Sequence, residues 1–257
     1  MPATDPLAGI GKPTKPNLVV FFVIDRSGSM SIGGKMNAVN HAVREAIPVL
    51  KGIGGSDADL KIAVLTFSDG AEWMYDELID VEDFTWNDIE PFGFTDFGAA
   101  CNELADKLSR KKYMNSKSGY KKPVIILLSD GEPTDDDIWP DALNRLKTNN
   151  WFKLSIKIAL AVDSADEDVL GQFVGSPEGV YRVEDTQKLK KLIKIVAVKS
   201  VEIGSRSMPI DVNVAAENRD DAVQAAVHEA IRDEEDNDWF SADVDDDEEW
   251  EVEEDED

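Results

Sequence analysis

The chain has 257 residues, 42% of them hydrophobic, and its 53 acidic and 27 basic side chains give a formal charge of −26. From Asp233 to Asp257, 17 of 25 residues are acidic and none is basic, so residues 1–232 hold 36 acids against 27 bases. A mildly acidic body with a polyanionic tail disfavours binding to nucleic acid, which needs clustered cations, and docking to an anionic membrane surface.

Residues 1–16 contain Pro2, Pro6, Pro13 and Pro16 and read as a loose leader, without the roughly 7–15-residue apolar core of a signal peptide. Leu18 to Ile24 is a continuous β-branched and aromatic run, which predicts a strand buried on both faces. It is far shorter than the ~20 residues that span a bilayer. Lys35 to Leu50 carries Met36, Val39, Val43, Ala46, Ile47 and Leu50 at helical spacing, with a kink or early end expected at Pro48. Leu60 to Phe67 predicts a second strand and Trp73 to Tyr75 a short third. Gly98 to Leu108 reads as a helix, Val124 to Leu128 as another doubly buried strand, and Ala142 to Lys147 as part of a helix. Leu154 to Val162 reads as a strand, Asp166 to Phe173 as a short helix, Val180 to Val183 as an edge strand, and Asp185 to Val201 as a last helix.

Strands alternating with helices imply crossover units, hence an α/β, doubly wound, mainly parallel sheet covered on both faces. The pattern makes residues 17–202 one domain. Residues 203–218 read as a linker and 219–232 as a short isolated helix using Ala222, Ala225, Ala226, Ala230 and Ile231. The acidic tail 233–257 is expected to be disordered. Cys101 is the single cysteine, so no intrachain disulfide or Cys-based zinc site is available. A soluble, reduced, cytoplasmic protein is expected.

Ligands of doubly wound sheets bind at the carboxyl ends of strands, where strand order reverses. Three polar clusters fall at such positions: Asp25-Arg26-Ser27-Gly28-Ser29, Thr95-Asp96-Phe97-Gly98, and Ser129-Asp130-Gly131. Their carboxylates and hydroxyls form an all-oxygen set, suited to a hard divalent cation: Mg²⁺ first, with Mn²⁺ or Ca²⁺ as alternatives.

Asp25-x-Ser27-x-Ser29, Thr95 and Asp130-Gly131 resemble, in order and spacing, the metal-ion-dependent adhesion site of a von Willebrand factor A (VWA) domain. The resemblance implies a VWA fold over about residues 17–202. It implies that Ser27, Ser29 and Thr95 coordinate the ion through hydroxyl oxygen, while Asp25 and Asp130 act partly through water. It further implies that an open position on the ion accepts an Asp or Glu carboxylate from a protein partner. Leu127 to Asp135, with Val39-Asn40, is similar to the TerY-like VWA proteins of bacterial tellurium-resistance and chemical-stress operons. That similarity implies docking to a kinase, a phosphatase or another stress-system component. VWA subunits also serve AAA+ ATPase and chelatase-type machines, which is the alternative reading.

Enzyme readings of the same residues fail on chemistry. A dehalogenase-like phosphatase needs an Asp where Ser27 stands. No G-x-S-x-G elbow surrounds Ser27 or Ser29, and Gly33-Gly34-Lys35 lacks P-loop spacing. A non-enzymatic binding module is expected. Arg26, Phe94 and Phe97 are candidates for a rim around an incoming carboxylate, although core packing accounts equally well for the two phenylalanines. Asp135, Asp136 and Asp137 read as the charged start of the following helix. In the tail, Trp239, Phe240 and Trp250 are candidate docking anchors, set against a merely solubilising role or engagement of the metal by the tail itself.

Overall fold

The computed structural model describes residues 14–53, 57–205 and 218–241. Seven strands form one sheet in the order β3-β2-β1-β5-β6-β7, with β4 pairing beside β3 on β2. They are β1 (Asn17–Asp25), β2 (Asp59–Ser68), β3 (Gly70–Trp73), β4 (Ile79–Asp80), β5 (Val124–Ser129), β6 (Ile156–Val162) and β7 (Val180–Val183). β1, β2, β5, β6 and β7 pair in parallel, whereas β3 and β4 run antiparallel to β2.

The helices are α1 (Lys35–Ile53), α2 (Phe97–Lys107), α3 (Trp139–Thr148), α4 (Asn150–Leu154), α5 (Glu167–Val174), α6 (Thr186–Ser205) and α7 (Asn218–Ser241). Alternation along β1 distributes its side chains between two cores. Leu18, Val20, Phe22 and Ile24 pack with residues of α1, α6 and α7; Val19, Phe21 and Val23 pack with residues of α2, α3 and α5. A strand buried on both faces has no polar side to alternate with, which explains its unbroken apolar sequence.

Three expectations are corrected. The early end at Pro48 does not occur, since helix α1 runs on to Ile53. Pro48 and Arg44, whose carbonyl loses its partner, are both exposed, so water can solvate that carbonyl while Ala46, Ile47 and Leu50 stay buried. Helix α6 extends to Ser205 because its last turn packs on the sheet: a Cβ on Gly204 would lie 3.5 Å from a Leu18 methyl and 3.7 Å from one of Val124. The third correction concerns α7, which is longer than 219–232 and is not isolated. It buries Val223 and Val227, one turn apart, in the core beside α6, and its His228 ring lies 5.1 Å from Tyr181. Of the face expected from sequence, Ile231 packs on the core, whereas Ala222 and Ala225 are exposed.

Cys101 is buried on α2, and burial pushes its thiol far above the ordinary range, helped by the nearby Asp135 charge. The native chain is therefore expected to resist a thiol-reactive dye at mildly alkaline pH and to titrate one thiol only after denaturation. Rapid stoichiometric labelling of the folded protein would contradict this burial.

Candidate metal centre

The chain passes from β1 to β2 on one side and returns to β5 on the other. The switch in strand order therefore falls between β1 and β5. These strands are in register with Ile24 opposite Leu128, so Asp25 and the Ser129-Asp130 pair leave the sheet at the same edge. Here the crevice of a doubly wound sheet opens.

Asp25 ends β1 and is wholly buried. Its Oδ1 accepts from the Ser27 backbone N–H at 2.8 Å, and its Oδ2 accepts from the Ser129 hydroxyl at 2.5 Å. Burial raises the Asp25 carboxyl above its ordinary value. The bonds from Ser129 and Ser27 oppose that rise, and the neighbouring Asp130 charge adds to it. A 3-10 turn over Gly28–Gly34 then brings the two serine hydroxyls within 2.9 Å of each other. Ser29 donates to Asp130 Oδ1 at 2.7 Å.

Thr95 arrives from a separate loop that is pinned on several sides. Its N–H donates to Thr134 Oγ1 and its carbonyl accepts from the Thr134 N–H, both at 3.0 Å. Asp69 Oδ1 holds the Phe94 N–H at 2.7 Å, and Asp96 Oδ2 holds the Gly70 N–H at 2.8 Å. Gly93, at φ +77°, lets this loop turn against Asp69; a Cβ there would meet the Asp69 carboxylate at 2.6 Å. Thr95 Oγ1 and Ser29 Oγ converge on Gly131, lying 3.9 and 4.0 Å from where its Cβ would be. The structure thus gathers Asp25, Ser27, Ser29, Thr95 and Asp130 at one crevice from three distant stretches of chain.

This donor set fits a hard divalent cation. Among the described residues no group of three or more His, Cys, Asp or Glu side chains is arranged to hold a metal, so a site here depends on the hydroxyls. Ser27, Ser29 and Thr95 supply three, and the two carboxylates are already oriented by protein donors. Such pre-orientation of the outer groups is what a metal site requires.

The rim residues separate. Arg26 extends its guanidinium to Glu72 at 3.1 Å and lies 4.3 Å from the Phe92 ring centre. Phe94 is 69% exposed beside the Thr95 loop. Phe97 is a correction: it is 3% exposed and packs among Phe67, Trp139 and Phe173, because the first turn of α2 points it into the core. Asp135 is corrected too. Its Oδ2 accepts from the Gly98 N–H at 2.7 Å, so it serves the start of α2, while α3 begins only at Trp139. Burial raises the Asp135 carboxyl, and the Gly98 bond counters part of that rise. Trp239 and Phe240 fall in the part of α7 whose side chains are outside the described residues, as does Trp250 altogether.

Sequence reasoning missed Lys35, Asp163 and Thr134. Lys35 opens α1 with its side chain only 9% exposed, its ammonium placed against Asp130 Oδ2 and 3.3 Å from Asp163 Oδ2. The available signal is Gly33-Gly34-Lys35, whose two glycines at positive φ turn the chain so that Lys35 opens α1.

A mainly parallel sheet covered by helices on both faces, with an oxygen-rich crevice at its switch point, places the chain in the α/β class. The sequence model of the von Willebrand factor type A domain matches residues 20–195, and the chain belongs to that family. Among curated proteins none matches the sequence significantly. Solved structures share the fold at low identity. A von Willebrand factor type A protein from Catenulispora acidiphila is 18% identical at a TM-score of 0.55, over 72% of this chain and 43% of that one. The pilus adhesin SpaC from Lactobacillus rhamnosus GG is 16% identical at 0.59, over 76% and 31%. Proximal thread matrix protein 1 from the mussel byssus, solved with a zinc-occupied MIDAS motif, is 15% identical at 0.54, over 74% and 49%. The chain therefore spans less than half the length of each of these three proteins. Among the described residues no helix is long and apolar enough to cross a membrane.

Proposed function

We propose that the chain is a non-enzymatic interaction module that captures an Asp or Glu side chain of a protein partner through a divalent cation. Mg²⁺ is the first choice and Mn²⁺ or Ca²⁺ the alternatives, because every donor is oxygen and none is sulfur or imidazole. One observation carries the reading. Both oxygens of Asp25 and both of Asp130 already face protein partners, while the Ser27 and Ser29 hydroxyls lie 2.9 Å apart and those of Ser29 and Thr95 both lie within 4.0 Å of the position a Gly131 Cβ would take. Ser27, Ser29 and Thr95 would hold the ion, and Asp25 and Asp130 would orient the surrounding groups. A cation bound with so little protein charge supplies a Lewis acid that still attracts a carboxylate. The zinc in the mussel protein's motif supports a divalent occupant.

The exposed Phe94 and Arg26, which lies over Phe92 and pairs with Glu72, are our candidates for the rim that would shield and pair with the arriving acid. Neither histidine serves the crevice: His41 pairs with Glu45 on α1, and His228 lies by Tyr181. A reducing, cytoplasmic setting fits the lone buried Cys101. The TerY-like stretch Leu127 to Asp135 favours a kinase or phosphatase of a bacterial stress system as the partner.

The test uses Mn²⁺ as a paramagnetic ion and glutarate as a carboxylate probe on the full chain. Mn²⁺ should bind with enhanced water-proton relaxation, and glutarate should lower that enhancement by displacing water from the ion. An absence of Mn²⁺ binding, or relaxation indifferent to glutarate, would overturn the proposal.

A further inference from the structure

The metal crevice contains a cation of the protein's own. Lys35 is buried to nine-tenths, and its ammonium lies against Asp130 Oδ2. That oxygen has no hydrogen bond from any other group among the described residues, since Ser29 takes Oδ1. The second anion on Lys35, Asp163, follows β6 and is 67% exposed. Asp163 is also the single non-glycine residue with positive φ among those described, at 56°, its N–H held by the Val183 carbonyl at 3.0 Å. The backbone thus accepts a sparsely populated conformation at the position where this carboxylate reaches Lys35.

We infer that Lys35 sets the charge of the metal site. It weakens the site for the bare cation, and it leaves a bound cation more attractive to the partner's carboxylate. The inference rests on the function proposed above. Among the buried groups, with both carboxylates ionised, Asp25, Asp130 and Lys35 together carry one negative charge, so a divalent ion among them would retain one positive charge, while the exposed Asp163 is screened by water. Without Lys35 the same groups cancel the ion, and an incoming carboxylate meets no net charge. Because Lys35 is held in the interior, its effect on the ion is little screened by salt. The two effects have opposite signs, which a merely structural lysine would not produce. Asp163 moderates the arrangement by sharing the ammonium with Asp130.

The experiment measures Mn²⁺ affinity, and glutarate affinity of the Mn²⁺-saturated chain, in the full-length protein and three variants. Lys35→Met keeps the length of the side chain and removes its charge. It should tighten Mn²⁺ by about tenfold or more and weaken glutarate several-fold. Lys35→Arg keeps the charge and should stay near the parent in both. Asp163→Asn lies on the surface at a positive φ that Asn tolerates, so it should fold normally. It leaves Lys35 to Asp130 alone and should weaken Mn²⁺ by about threefold, opposite in sign to Lys35→Met.

If the parent and all variants bind Mn²⁺ equally, the role of Lys35 falls and the metal reading stands. If none binds Mn²⁺, the metal reading falls. Should Lys35→Met lose structure, an Asp163→Asn chain with unchanged or tighter Mn²⁺ affinity overturns the inference by itself.

Discussion

The Asp25→Asn chain should fold with a thermal midpoint in EDTA no lower than the parent's, and should show none of the Mg²⁺-dependent rise in midpoint expected of the parent. Asparagine is isosteric with aspartate. Its Oδ1 can accept from the Ser27 N–H, and its Nδ2 can donate to the Ser129 hydroxyl, which then turns to accept. Each buried heavy atom that Asp25 satisfied thus keeps a hydrogen-bond partner. Burial raises the folded-state pKa of Asp25 above its unfolded value. The metal-free fold therefore gains most from this group below the unfolded pKa and loses that gain as pH rises through the folded pKa. The substitution removes a carboxyl group whose ionised form is poorly solvated and costs the empty fold little.

The loaded fold behaves differently. An ion at about a hundred times its Kd stabilises a protein by about 2.7 kcal/mol, or about 5–10 °C for a domain of this size. That increment should vanish in Asp25→Asn. Asp25→Ala is the harsher change, because each buried donor left without an acceptor costs about 1–3 kcal/mol. Thermal melts of the three chains in Mg²⁺ and in EDTA separate the effects. A Mg²⁺-dependent rise that persists in Asp25→Asn would remove Asp25 from the metal site.

What was legible in the sequence follows from how far each signal reaches along the chain. β1 and β5 are apolar without interruption because both their faces are covered, and β7 was placed at Val180 to Val183 as found. Asp25, Ser27 and Ser29 sit within one turn, so their spacing alone suggests a shared ligand. Thr95 and Asp130 could be joined to them only through the strand-end rule and the family resemblance, since no local spacing links them.

The misread residues are those whose partners are remote. Phe97 follows Thr95 closely, but the start of α2 rotates it into the aromatic core. Asp135 looks like the cap of its own helix, and only the close approach of α2 to α3 assigns it to the Gly98 N–H. That approach is tight: a Cβ on Gly98 would lie 2.9 Å from the Trp139 Cα. Lys35 read as an ordinary helix start because Asp130 and Asp163 are about a hundred residues away. In α7, alanine content blurred the stripe of Val223, Val227 and Ile231 that packs on the core, so the expected face was right at Ile231 and wrong at Ala222 and Ala225.

Phe21→Ala should be the most damaging single truncation in the body, lowering stability by about 3–5 kcal/mol and the thermal midpoint by about 10 °C or more. Phe21 lies midway along β1, the strand between β2 and β5, and is wholly buried. Its ring meets Trp73 edge-on at 6.2 Å and stacks on Tyr113 at 6.3 Å. The cost of such a truncation depends on whether the neighbours can close the cavity.

Here they are tethered from outside. Trp73 Nε1 donates to Glu103 at 3.0 Å, and the Tyr113 hydroxyl donates to the Tyr75 carbonyl at 3.1 Å. Lys107 lies over both rings, 4.6 Å from the centre of Tyr113 and 5.7 Å from that of Trp73. Sinking into the void would break those bonds, so the cavity should persist and the loss should fall at the upper end of the range. Urea unfolding of Phe21→Ala beside Phe21→Leu gives the comparison, because Leu fills most of the volume and should recover about half of the loss. A destabilisation below about 1.5 kcal/mol for Phe21→Ala would mean that Trp73 and Tyr113 move inward freely, and that their hydrogen bonds do not hold them.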